Sequence, residues 1–148
     1  MTREDSVRTV RAWWADLTRA PLTSERVANG ELEGFVRERH APDVEWRMID
    51  FAGWPERPVY TGHDGVRRVL EVWSFFGSRL EFELQMVDPV GDRVVAVAVQ
   101  RAHRRDGGEP AQTRFAAVMS ADDGVVSRIA TYSDLGEALA SVGLPAPR

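Results

Sequence analysis

Apolar residues recur along this chain with two different periods, and the change of period divides it into a helical front and a strand-rich back. Val7, Val10, Trp14 and Leu17 stand three and four apart, one stripe on a helix, with Ser6 as candidate N-cap and Pro21 as its stop. A shorter helical stretch covers residues 31–39, with Leu32, Phe35 and Val36 on one side and Asn29-Gly30 breaking the chain before it. Val44, Trp46 and Met48 then alternate with Glu45, Arg47 and Ile49, the period of a strand with one apolar face. The same parity carries Asp50 onto the Trp46 face at the strand's end. Residues 51–62 form a loop with Gly53, Pro55, Pro58 and Gly62 that also holds Trp54 and Tyr60. Helical spacing returns over 64–75, where Val66, Val69, Leu70 and Trp73 supply the stripe and Asp64 suits the positive N-terminal end.

The back half reads as four strands. Leu80, Phe82, Leu84 and Met86 alternate with Glu81, Glu83 and Gln85, and Val90-Gly91-Asp92-Arg93 turns the chain into a strand over 94–103. Gly107-Gly108 marks a hairpin loop, a strand follows over 111–120, Ala121-Asp122-Asp123-Gly124 makes the next turn, and the last strand covers 125–132. A short helix over 134–142 closes the chain, with Gly143 suited to its C-terminal cap. Helices followed by a meander predict an α+β fold, a cone-shaped curved antiparallel sheet with helices packed on its concave face. The open mouth of such a cone is a natural pocket. The length suits one domain over 1–148, with 144–148 a loose tail.

Composition narrows the chemistry. All 19 basic side chains are Arg, and the chain has neither Lys nor Cys. Schiff-base chemistry, thiolate nucleophiles, disulfides and Cys-based metal sites are therefore excluded. No cofactor motif is present, and no two of the three His have ligand spacing, so neither cofactor nor metal is expected. A net charge of −4, with Arg and acids interleaved as in Arg37-Glu38-Arg39, speaks against a nucleic-acid partner. The longest aliphatic run, 94–99, is far too short to span a membrane as a helix. Residues 1–5 are charged with no apolar stretch behind them, which together with the absent Cys leads us to expect a cytoplasmic protein.

Strict alternation gives the concave face a defined membership: Val44, Trp46, Met48 and Asp50; Leu80, Phe82, Leu84 and Met86; Val95, Val97, Val99, Arg101 and His103; Thr113, Phe115, Ala117 and Met119; Val125, Ser127, Ile129 and Thr131. Its deep part is apolar and its polar groups sit at strand ends, the usual form of a small-molecule site. Two residues are candidate acid/base groups. Asp50 beside aromatics becomes a useful base if buried, and a solvated loop residue otherwise. His103 titrates near neutral pH but is equally placed to face water in the hairpin. Arg101 can hold a carboxylate or enolate by a forked hydrogen bond, or pair with an acid on a neighbouring strand. Tyr60 can aim its hydroxyl into the mouth. Trp13, Trp46, Met48, Trp73, Val99, Phe115 and Thr131 complete the expected lining, against the plainer reading that the tryptophans are core. His63 reads as loop packing, and His40 as a cation at a helix C-terminus.

Particular segments resemble a known family. They are Ala41-Pro42-Asp43-Val44-Glu45-Trp46, Tyr60-Thr61-Gly62-His63-Asp64-Gly65-Val66-Arg67, Gly91-Asp92-Arg93-Val94-Val95, and Asp123-Gly124-Val125-Val126 through Tyr132-Ser133-Asp134-Leu135 to Glu137-Ala138-Leu139. In order and spacing they are similar to the SnoaL-like branch of the nuclear transport factor 2-like (ketosteroid isomerase-like) superfamily, across nearly the whole chain. The resemblance implies a cystatin-like α+β barrel that hosts isomerases, polyketide cyclases, epoxide hydrolases, dehydratases and non-enzymes. The steroid-isomerase acids and tyrosine fall on Met48, Phe115 and Trp13 or Trp14, and the epoxide-hydrolase triad on Val99, Arg101 and Thr131, so neither set is intact.

Three functions stay open at this point. One is a cofactor-independent isomerase, cyclase, dehydratase or hydrolase acting on a small apolar, aromatic or polyketide-like substrate. The second is a binding protein with the same pocket. The third is a dimerisation module whose cone is filled by its own side chains. Gln100, Gln112, Arg114, Arg128 and Tyr132 on the outward face of the sheet, with the superfamily's habit of pairing through it, lead us to expect a homodimer.

Overall fold

A computed structural model describes residues 2–51 and 53–145, Asp50 through its backbone alone. The chain folds as α1 (Arg3–Thr18), α2 (Ser24–Ala28), α3 (Glu33–Arg39), β1 (His40–Asp50), β2 (Val59–Thr61), α4 (Gly62–Trp73), a 3-10 turn (Ser74–Phe76), β3 (Arg79–Val90), β4 (Arg93–His103), β5 (Ala111–Asp122), β6 (Val125–Tyr132) and α5 (Leu135–Ser141). Among the described residues no helix is long and apolar enough to cross a membrane.

The helix starts follow from capping chemistry. Thr2, not Ser6, begins α1: the Asp5 N–H donates to Thr2 Oγ1 at 3.1 Å and the Thr2 N–H donates back to Asp5 Oδ2 at 3.1 Å. Ser6 lies inside the helix, its N–H bonded to Thr2 O. Thr23 caps the extra single-turn helix α2, which is too short to show a period. At the other end Gly143, at φ +80°, donates to Ala140 O while Leu144 donates to Leu139 O, the turn expected of a glycine C-cap. Gly65 is required by packing: a Cβ there would lie 3.0 Å from the Tyr60 carbonyl carbon, so α4 sits directly on β2.

The six strands are ordered β2-β1-β6-β5-β4-β3. Four of the pairings are antiparallel, but β1 runs parallel to β6, with Trp46 beside Ile129 and Met48 beside Thr131. That pairing closes the sheet around the front half of the chain, because the chain passes through α4 and the whole meander before it returns to β1. Pro42 sits in the stretch between His40 and Glu45 where the β1–β6 register shifts, so its missing N–H removes no bond from that ladder. Helices α1, α3 and α4 fill the concave side. Helix α5 lies on the opposite side, where Leu135, Leu139 and Val142 pack on Val95, Val97, Ala116, Val118 and Tyr132.

This second, outer core corrects the expected parity of β4. Ala96, Ala98 and Ala102 belong to the inner core, and Gln100 faces it too, while Val95 and Val97 lie under α5. Both faces of this strand are buried, so its Val and Ala positions carry no amphipathic signal. Volume decides instead: the inside is occupied by large rings and admits alanines, and the valines go outward. In β3 a register shift between Leu84 and Met86 turns Met86 outward, 39% exposed, and puts Val87 against the core. In β6 the inner core takes Val126 in place of the expected Val125 and Ser127, opposite the shift between Ser120 and Ala121.

Candidate functional site

The cone is built from aromatic side chains. Helix α1 contributes Trp13 and Trp14, β1 contributes Trp46, α4 contributes Trp73, and each is 1% exposed. Phe115 of β5 and Phe51, just after β1, join them. Ring centroids lie 4.9 Å apart for Trp13–Trp14, 5.7 Å for Trp13–Trp46, 6.0 Å for Trp46–Trp73 and 5.6 Å for Trp73–Phe115, all four pairs edge-to-face. Phe51 closes the mouth, 5.6 Å from both Trp73 and Phe115. Each such pair adds about 0.5–1.5 kcal/mol beyond the area it buries. The rings pack against one another across the width of the cone.

Their polar edges are matched one by one. Trp46 Nε1 donates to Thr131 Oγ1 at 3.0 Å, Trp73 Nε1 to Gln100 Oε1 at 2.6 Å, and Trp13 Nε1 to His40 Nε2 at 2.8 Å. His40 Nδ1 lies 3.1 Å from Val36 O and 3.2 Å from Phe35 O, both acceptors, so its proton is on Nδ1 and the ring is neutral. Burial holds its pKa down at about 4. His40 is thus a neutral hydrogen-bond bridge inside the fold, not the cation expected at the helix end. His63 meets the His40 carbonyl through Nε2 at 3.0 Å, a packing role. Trp54 Nε1 donates to Tyr60 Oη at 3.0 Å, and Tyr60 Oη donates to Glu56 at 3.2 Å. Burial raises the Tyr60 pKa, so its hydroxyl stays protonated and engaged in the loop. The exception is Trp14, whose buried Nε1–H has no partner.

Of the residues expected at the site, Trp13, Trp46, Met48, Tyr60, Trp73, Phe115 and Thr131 are all buried on the concave side. Val99, Arg101 and His103 are not on that side. Glu81 pairs in register with Arg101 and Phe82 with Gln100, and Phe82 packs on Trp73 at 5.0 Å, so the Arg101 row faces outward. Arg101 Nη2 meets Glu83 Oε2 at 3.2 Å and His103 bonds Glu81. For Arg101 this is the expected alternative, a pair with an acid on a neighbouring strand; His103, expected either at the site or facing water in the hairpin, is instead tied to Glu81 on the outer face. The side chain of Asp50 lies outside the described residues. No described acid/base pair is therefore assembled inside the cone, and the inner face holds instead Gln100 and His40, which alternation did not select. Among the described residues no group of three His, Cys, Asp or Glu side chains is arranged to hold a metal ion.

A cleft of about 240 Å³ opens on the convex side. Across β1, β6 and β5 the register sets Glu45 beside Arg128 beside Ser120, and Arg47 beside Ala130 beside Val118. Short side chains in the middle make a floor, and Arg47, Arg93, Arg128, Ile49 and Tyr132 stand around it.

No protein-family model matches the chain, and no curated protein matches its sequence significantly. Solved structures do match it in shape. An NTF2-like protein from Anabaena variabilis ATCC 29413 superposes with a TM-score of 0.65 at 15% identity, covering 86% of this chain and 88% of that one. An NTF2-like protein of unknown function from Burkholderia pseudomallei K96243 gives 0.62 at 19% identity, covering 97% and 99%. A protein with a ketosteroid isomerase-like fold from Catenulispora acidiphila DSM 44928, in complex with trimethylamine, gives 0.59 at 21% identity, covering 93% of each. At these identities the likeness is one of architecture, and function is read from the site. The curved six-stranded sheet with helices in its concavity is the cone fold of the NTF2-like, ketosteroid isomerase-like proteins.

Proposed function

We propose that this protein is a non-catalytic NTF2-like module that recognises its partner with the outer face of its sheet. The observation that carries this reading is the filled cone: four tryptophans and Phe115, each at most 2% exposed, occupy the space a substrate would need. The candidate acid/base His103 and the candidate anion holder Arg101 stand on the opposite face, His103 hydrogen-bonded to Glu81 and Arg101 in an ion pair with Glu83. The outer face carries exposed apolar groups between charged ones, with Ile49 46% exposed. Such a mixed surface is typical of non-obligate interfaces, a second copy of the chain included.

A second reading, a small apolar ligand inside the cone, is favoured by the unpartnered Trp14 Nε1–H, which a ligand carbonyl would satisfy. Methyl-labelled methionine separates the two. Met48 and Met119 lie inside the cone and Met86 outside it. When a small-molecule library is screened by thermal shift and each stabilising compound is followed by methyl NMR, the Met48 and Met119 resonances should stay in place. Displacement of both by a stabilising compound would replace our reading with the second one.

A further inference from the structure

The geometry points to the convex cleft as a binding site for a small monocarboxylate with a compact apolar body, such as an aromatic acid. This rests on the outer face being the working surface.

The shape of the site follows from register. Ala130 and Val118 are cross-strand partners, and their short side chains leave a depression between longer neighbours. Tyr132 and Ile49 supply apolar walls, and α5, packed on Val118 and Tyr132, lies against one flank. The floor is thus apolar and suits a flat hydrocarbon body. The volume of about 240 Å³ is below that of drug-sized pockets and suits a single ring or a short chain.

The charge at the rim selects the other end of the ligand. Three arginines, Arg47, Arg93 and Arg128, surround the cleft with Glu45 as the opposing acid. Glu45 is engaged by Arg47, and Arg93 lies 4.0 Å from the fully exposed Asp92, a weak pairing. Arg128 forms no ion pair among the described residues, although it sits beside Ser120, whose hydroxyl is a second donor. The whole chain carries −4, so this excess of positive charge runs against the average. An arginine fork over an apolar floor matches a planar carboxylate carried on a hydrocarbon body.

The test uses benzoate as the probe, with benzyl alcohol and inorganic phosphate as controls, on the full chain, read by amide and methionine-methyl NMR. Sedimentation is run at the same concentrations. Benzoate should shift the amides of Val118, Ser120, Arg128 and Ala130, with a dissociation constant of about 1 mM or tighter. Binding should weaken about tenfold in Arg128→Gln and weaken with added salt, while Arg114→Gln, on the same face outside the cleft, binds as the parent does. Benzyl alcohol and phosphate should each bind far less well. Phosphate binding as well as benzoate, or Arg128→Gln binding it unchanged, would overturn the carboxylate assignment. So would a dimer whose outer-face amides are protected at every concentration. Absence of shifts at the cleft with Met48 and Met119 undisturbed defeats this site alone. Shifts at those two methionines defeat the underlying reading as well.

Discussion

Lowering the pH from 7.5 to 5 should destabilise this protein through one buried side chain, His40. The ring is 1% exposed, accepts from Trp13 Nε1 at 2.8 Å, and directs Nδ1 at the Val36 and Phe35 carbonyls. Protonating Nε2 would turn the acceptor into a donor aimed at another donor, and would place a charge where water cannot reach it. The folded pKa is therefore depressed, to about 4 from the ordinary 6.5. As the pH falls, the unfolded chain takes up the proton first. The stabilisation is complete above about 6.5, declines between 6.5 and 4, and is gone below 4. That interval corresponds to about 3 kcal/mol in full, of which about 2 kcal/mol is lost by pH 5. The comparison is with His40→Gln, which cannot titrate and whose Oε1 can still accept from Trp13. Urea denaturation followed by tryptophan fluorescence, at pH 7.5 and 5 for both proteins, isolates His40. Other groups, such as Glu33, held down at about 2 by its hydrogen bonds from Arg67, titrate alike in both and cancel. The wild type should lose about 2 kcal/mol more than the variant. Parallel pH dependences would refute the reasoning, because they would mean that His40 accepts a proton in place without losing its contacts.

Three further outcomes follow from the packing. Ala98→Leu should cost about 1–3 kcal/mol in chemical denaturation by forcing atoms among the cone's rings, while Arg101→Met stays within about 0.5 kcal/mol, and the reverse order would return β4 to the opposite parity. Gln100→Leu and Thr131→Val should each cost about 1–3 kcal/mol, because they strand the Trp73 and Trp46 N–H groups, and the indole proton resonances of those two residues should move. Phe115→Ala should cost about 3–5 kcal/mol and leave an apolar void that benzene stabilises in a thermal-shift assay; a variant indifferent to benzene would show that the rings collapse into the space.

The fold was legible wherever one face of an element is wet. Trp46 and Met48 against Glu45 and Arg47, or Phe82 against Glu81 and Glu83, carry their orientation in the alternation itself. Turn chemistry was equally readable at Gly143 and at Asp123-Gly124, where positive φ favours those residues. The alternation is silent where both faces are buried. Residues 94–99 are apolar throughout, and only the packing of α5 on one side and tryptophans on the other sends Val95 and Val97 out and Ala96 and Ala98 in. That single ambiguity misplaced Val99, Arg101 and His103, and with them the expected acid/base and anion-holding groups, and hid Gln100.

Local chemistry along the chain dictates which stretches are helix or strand, where they start and stop, and which reactions lack the side chains to occur. Those properties depend on residues a few positions apart. Whether the cone is a pocket or a core depends on how the volumes of Trp13, Trp14, Trp46, Trp73 and Phe115, drawn from four separate elements, add up in one space. The convex cleft likewise exists because β6 returns parallel to β1 and brings Ala130 beside Arg47 and Arg128 beside Glu45, 83 residues away in each case. No local pattern encodes that distance. The three-dimensional closure of the sheet decides it.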